Sequence, residues 1–170
     1  IRPNQIIEGV LTETREHEYS CYNDLVLATQ TLKYTQSNSV VVAYNGKTIG
    51  VGAGQQSRVD CLELACRKAH NHILLSKYLN TDMFIEMKKQ DRINAIAKHI
   101  TENNNKDKFD GLSLASDGFF PFRDNIDLAS QYGIDYISQP GGSINDQDII
   151  DACNEHGIIM SMTGRRMFYH

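Results

Sequence analysis

The chain has 170 residues, a net charge of -4 at pH 7, 41% hydrophobic and 22% charged residues, and 12 glycines. That composition specifies a globular domain with a sizeable core and excludes disordered, collagenous and coiled-coil chains. The acidic balance leaves no footprint for nucleic acid or an anionic membrane, and no apolar run reaches the ~20 residues of a membrane span.

Residues 1–20 are polar and acidic and read as a leading segment rather than a core element. Asn23 and Asp24 are placed to cap a helix over about 24–36, with Leu25, Ala28 and Leu32 on its apolar face. Val40 to Tyr44, Asn45-Gly46 and Lys47 to Gly52 form a hairpin signal, because Asn-Gly tolerates the positive φ of a type I′ turn. Over 57–79, Val59, Leu62, Cys66, Ala69, Ile73 and Leu74 recur at helical spacing. A second helix is expected over 82–101, followed by a polar loop from Asn103 to Asp110. The rest alternates: strand Leu112 to Ser116, helix Asp124 to Tyr132, strand Ile134 to Ser138, helix Asn145 to His156, strand Ile158 to Met162. The rhythm predicts an α/β fold, a mostly parallel mixed sheet with helices on both faces.

Cys21, Cys61, Cys66 and Cys153 contain no Cys-x-x-Cys pair, which argues against a zinc ribbon or thioredoxin-like site. Free buried thiols fit a reducing, cytoplasmic compartment. His17, His70, His72, His99 and His156 fall on polar faces or loops and are expected in solvent. The chain begins at Ile1 rather than Met, which raises the expectation of a piece of something longer.

In an open α/β sheet, ligands bind beyond the carboxyl ends of the parallel strands. Four unusual loops are expected there: Gly50 to Arg58, Asp117 to Asp124, Gln139 to Ser143 and Thr163 to His170. Gln36 to Asn38, at the start of the antiparallel hairpin strand, should reach the same edge. Each loop has two readings. Gly50, Gly52 and Gly54 bring amides to an anion with Arg58 as counter-charge, or they are glycines for steric reasons. Phe119, Phe120 and Phe122 stack on a planar heterocycle, or fill the core while Asp124 caps a helix; a mixed role fits best. Gly141-Gly142-Ser143 binds a ligand through its backbone or is a plain turn. The ending with Arg165, Arg166 and His170 is a frayed tail or one docked onto the sheet.

Five stretches resemble the aminoimidazole carboxamide ribonucleotide (AICAR) transformylase domain of the bifunctional purine-biosynthesis enzymes, which also carry an inosinate cyclohydrolase domain. They are Lys33 to Val40, Ile49 to Arg58, Ser116 to Asn125, Gln139 to Ser143 and Arg166 to His170, in matching order and spacing. Residues 77–110 depart from the family pattern. The resemblance implies that residues 1–170 are the second of two cytidine-deaminase-like α/β/α units. The His-x-Glu and Pro-Cys-x-x-Cys zinc signature is absent, so no zinc is expected. The implied chemistry moves a formyl group from 10-formyltetrahydrofolate to the 5-amino group of AICAR.

By motif match, Asn38, Arg58, Phe119 and Arg166 would bind AICAR. Val59, Phe122, Asp124, Ser143 and Ile144 would meet the folate. Asn38 and His170 would lie at the reacting centre. The family's proton-transferring Lys-His pair has no counterpart here, since Lys98-His99 stands in the departing region. The implied partners are a missing N-terminal half and a second copy in a homodimer. The alternative is a purine-nucleotide or folate binding module, or a structural half, without chemistry.

Overall fold

The computed structural model describes Thr12 and residues 19–78, 86–103 and 109–168. The elements in chain order are α1 (Tyr19–Leu32), β1 (Ser39–Tyr44), β2 (Lys47–Ala53), α2 (Arg58–Tyr78) and α3 (Lys89–Asn103). They continue with β3 (Leu112–Ser116), α4 (Asp124–Gln131), β4 (Ile134–Gln139), α5 (Asp146–His156) and β5 (Ile159–Met162). The sheet order is β2-β1-β3-β4-β5. β1 is antiparallel to both neighbours, while β3, β4 and β5 are mutually parallel. Four strands therefore point one way and β1 alone the other. The mixed α/β sheet expected from the alternating pattern is present, with the hairpin's first strand inserted next to β3 rather than left at an edge.

Alternation along β1 assigns the two faces. Val40 and Val42 join Cys61, Leu62, Ala65, Cys66 and Ala69 of α2, Ile126 and Ala129 of α4, and Ile149, Ala152 and Cys153 of α5 in the main core. Val41 and Ala43 pack with Ala115 against Ala28 and Leu32 of α1 on the opposite face. All five residues of β3 are buried, as befits a central strand covered on both sides. α3 is peripheral: its Ile96 packs on Leu74 of α2.

The hairpin turn is as read, with Asn45 at φ 49° and Gly46 at φ 72°. α1, however, starts at Tyr19 and stops at Leu32. Asp24 is buried inside it, and its carboxylate accepts the Gly46 N–H at 2.8 Å rather than capping the helix. α5 ends as expected on a left-handed Gly157, but Asn145 makes no side-chain cap; its amide donates to the Pro121 carbonyl at 2.8 Å. Thr12 is buried, and its hydroxyl accepts the Met160 N–H, so one residue of the leading segment does pack on β5. The predicted helix start at 82, most of the 103–110 loop, His17 and His170 lie outside the described residues.

Candidate functional site

Because β2 to β5 point one way, their carboxyl ends share an edge with the start of β1, and the loops there are tied by backbone bonds. The Gly54 N–H donates to the Gln36 carbonyl at 2.9 Å, and the Asp117 N–H to the Ser39 carbonyl at 3.2 Å. The Met167 N–H reaches the Asp117 carbonyl at 2.9 Å, and the Thr163 N–H the Gln139 carbonyl at 2.8 Å. Met167 also packs on the α1-side core, so through Phe168 the tail is docked.

The first turn of α2 aims Arg58 across this edge. Its side chain is 9% exposed and forms an ion pair with the fully buried Asp117 through Nη1 and Oδ1. Nη1 also donates to Ser116 Oγ at 2.9 Å, and Nη2 to Asn38 Oδ1 at 2.9 Å. Asn38 Nδ2 donates to the Gln55 and Gln56 carbonyls, each at 3.2 Å, so both ends of the amide are held. Below it the Cys61 thiol donates to the Asn38 carbonyl at 2.9 Å. Burial pushes that thiol up from its usual range, against the opposing pull of a Gln55 backbone hydrogen bond and of Arg58.

Above this network lies a cavity of about 310 Å³ lined by Asn38, Gln56, Ser57, Arg58, Phe119, Pro121 and Phe168. The Arg166 guanidinium stands 5.2 Å from the Phe119 ring centroid and 5.7 Å from that of Phe168, within cation–π range. A cationic group and a flat apolar face thus stand side by side. They suit a planar, anionic ligand.

The three phenylalanines divide their roles, as the mixed reading expected. Phe120 is fully buried in the main core, and its N–H donates to Gln139 Oε1 at 2.8 Å. Phe119 faces the cavity, and Phe122 is 62% exposed. Asp124 opens α4, exposed, and its Oδ1 accepts from Asn125 Nδ2 at 2.7 Å. Arg123 anchors the end of this loop to Asp127 and to Glu155 of α5. Its hydrogen bonds hold both carboxyls below their usual range. The Ser143 N–H is taken by Asp146 Oδ1 at 3.1 Å, and Ile144 is 99% exposed. The Asn145–Pro121 bond sets this loop beside the phenylalanine loop. Val59 is half-buried, next to Arg58.

The steric reading of the glycine run holds for its first two members. A Cβ on Gly50 would lie 2.1 Å from the Ala65 carbonyl oxygen and one on Gly52 2.0 Å from that of Cys61. These glycines let β2 and α2 approach; they do not cradle an anion. The solvated reading of His70 is also corrected. It is buried, its Nε2 lies 3.0 Å from the Tyr132 carbonyl, and Phe109 and Tyr132 meet its ring edge-on. Residue spacing alone could not place it, because the apolar faces that enclose it come from α4 and the segment before β3. Among the described residues no three His, Cys, Asp or Glu side chains group to hold a metal ion.

Of the residues expected from the sequence, Asn38, Arg58 and Phe119 line one cavity, and Phe168, Ser116 and Asp117 join them unforeseen. The available signal was an acid directly after a strand whose carboxyl end faces Arg58.

A family model described as AICARFT/IMPCHase bienzyme matches residues 4–68. Over 147 residues, 86% of this chain, it is 42% identical to the bifunctional purine biosynthesis protein PurH of Aquifex aeolicus. It is 44% identical over the same length to that of Persephonella marina, and 39% to that of Prochlorococcus marinus. The matched region spans about a fifth of each relative, 22%, 22% and 21%. The resemblance carried by the five loops is thereby borne out, and over most of its length this chain is related in sequence to a segment of the bifunctional purine biosynthesis proteins.

Proposed function

We propose that this chain forms the AICAR-holding wall, and part of the folate face, of a site that transfers the formyl group of 10-formyltetrahydrofolate to the 5-amino group of AICAR. One observation carries the reading. Asn38, Arg58 and Phe119, matched to the family by motif, line a single cavity, and Arg166 stands over its aromatic face.

AICAR is a planar imidazole carboxamide on a ribose phosphate. Phe119 offers its ring a flat contact, and Arg166 is the exposed cation for the phosphate. Arg58 is neutralised by Asp117, so its remaining N–H groups and the second lone pair of Asn38 Oδ1 supply hydrogen bonds rather than net charge. The 5-amino lone pair is delocalised into ring and carboxamide. Holding it against the formyl carbon therefore supplies much of what the reaction needs. Attack gives a tetrahedral adduct, which collapses with release of folate N10, and one proton leaves the amine for that nitrogen. Phe122 and Ile144 present apolar surface to the pterin and benzoyl groups, and Asp124 an acceptor to the pterin. Val59 and Ser143 would flank them, and by motif match His170 would serve the reacting centre.

The described residues lining the cavity include no histidine, cysteine, lysine or carboxylate to take a proton, so the proton step is assigned to a residue outside them. Lys98-His99 does not supply it. Those residues are in α3, which packs on α2 at Leu74, roughly 24 Å along that helix from Arg58. The missing half of the enzyme, or a second copy of the chain, would contribute the base. That same observation favours a second reading, nucleotide or folate binding without chemistry. Calorimetry distinguishes the two from a purely structural role. Saturable heats are expected with AICAR and with folate, the first weakened roughly tenfold or more by Arg166→Ala and the second by Asp124→Ala. If neither ligand binds, both readings fail.

A further inference from the structure

Among the described residues Asp117 is the one fully buried acid at this edge, and it is fixed on three sides. Its N–H is bound to the Ser39 carbonyl, its carbonyl to the Met167 N–H, and its Oδ1 to Arg58. The main chain of β1 and of the tail therefore sets where the carboxylate sits, and the carboxylate sets where the guanidinium sits. Arg58 passes that placement to Asn38 Oδ1 through Nη2. Ser116 steadies the same nitrogen as Asp117 while donating its own proton to the Gly118 carbonyl at 2.7 Å. Asp117 Oδ2 is buried with no hydrogen-bond partner among the described residues, so Arg58 is its charged partner.

The neighbouring glycine leaves room for this arrangement. A Cβ on Gly118 would lie 2.5 Å from Arg58 Nη2 and 2.9 Å from Phe168 Cε1. The space that Gly118 leaves open is the space the guanidinium and the tail occupy.

We infer that Asp117 is a positioning residue: through Arg58 it fixes the Asn38 amide at the cavity wall, and it cancels the Arg58 charge, which leaves Arg166 beside Phe119 as a cation for an anionic ligand. The role of that ligand rests on the function proposed above; the placement itself does not.

Two measurements test it separately. In nitrogen-15 NMR of the wild-type chain, the Arg58 Nη hydrogens should rotate slowly, and the Asn38 Nδ2 hydrogens should be resolved and protected from exchange. In folded Asp117→Asn, both signatures should be lost. Free Arg58 rotation in the wild type, or unchanged Asn38 resonances in folded Asp117→Asn, would overturn the inference. The wild-type result decides even where the variant unfolds. By calorimetry, Asp117→Asn should weaken AICAR binding at least roughly tenfold, yet add nothing in an Arg58→Ala background. Equal weakening in both backgrounds would mean that Asp117 does not act through Arg58. A wild-type chain with no AICAR heat would sink the proposed function while the NMR arm still decides the placement.

Discussion

On the α2–β3 side of the cavity, Arg58 and Asp117 have side chains 9% and 0% exposed and are bound to each other, to Ser116 and to Asn38. At the exposed rim, on the two loops joined by the Asn145–Pro121 bond, Phe122 and Ile144 are 62% and 99% exposed, and the Ser143 amide is spent on Asp146. Among the described residues, every exposed large apolar side chain except Ile93 lies on a loop of this edge. The contrast shows where order comes from. The wall is preorganised by its own strand ends, whereas at the rim Phe122 and Ile144 stay largely exposed among the described residues. A ligand would find the first side ready and would have to share the second with another surface.

The largest effect should come from breaking the wall. Asp117→Ala leaves the Arg58 guanidinium buried without its counter-charge, and urea unfolding should report a loss of about 3–5 kcal/mol. Arg166→Ala, on the exposed side, should change stability by about 0.5 kcal/mol or less. Similar losses for both would erase the distinction between wall and rim. The phenylalanine loop sharpens it within four residues. Phe120→Ala should cost about 3–5 kcal/mol and Phe122→Ala under about 0.5, because only Phe120 fills the core.

Gly118→Ala should come next. Its added methyl collides with Arg58 and Phe168, so a destabilisation of about 1–3 kcal/mol is expected, with displaced Arg58 resonances. A neutral Gly118→Ala would mean the loop can yield and the wall is not rigid. A pH dependence is expected from the core below the wall. Burial pushes the Cys66 thiol up and the Cys153 thiol to about 12. Folded thiols then keep protons that unfolded ones lose above roughly pH 8.5. Their contribution is full below that pH and is lost as pH rises through the folded values. The urea midpoint should therefore fall between pH 8 and 10, and less so in Cys153→Ala. A midpoint independent of pH over that range would contradict the burial of these thiols.

Much of the fold was legible because local chemistry and tertiary structure agree. Asn45-Gly46 takes the positive φ it suggests, Gly157 ends α5, and the alternating strands and helices place their loops at one edge. What was not legible depends on partners distant in sequence. Asp24 looks like a helix cap until the hairpin turn arrives to use it. Gly50 and Gly52 resemble an anion loop until the α2 backbone is seen against them. Asp117 is an unremarked acid in an aromatic loop until Arg58 crosses to it. The motif match singles out Asn38, Arg58, Phe119 and Arg166, but not the hydrogen bonds that hold Asn38 and Arg58 in place.

In the proposed function this chain contributes a substrate-holding wall to a formyl-transfer site whose base lies on another surface. The direct test is AICAR-dependent release of tetrahydrofolate from 10-formyltetrahydrofolate, assayed for the 170-residue chain alone and after mixing with the remaining segment of a related PurH. No turnover is expected from the chain alone, and turnover is expected from the mixture that Arg166→Ala and Asp117→Asn each reduce. Turnover by the chain alone, or a mixture indifferent to both substitutions, would contradict it.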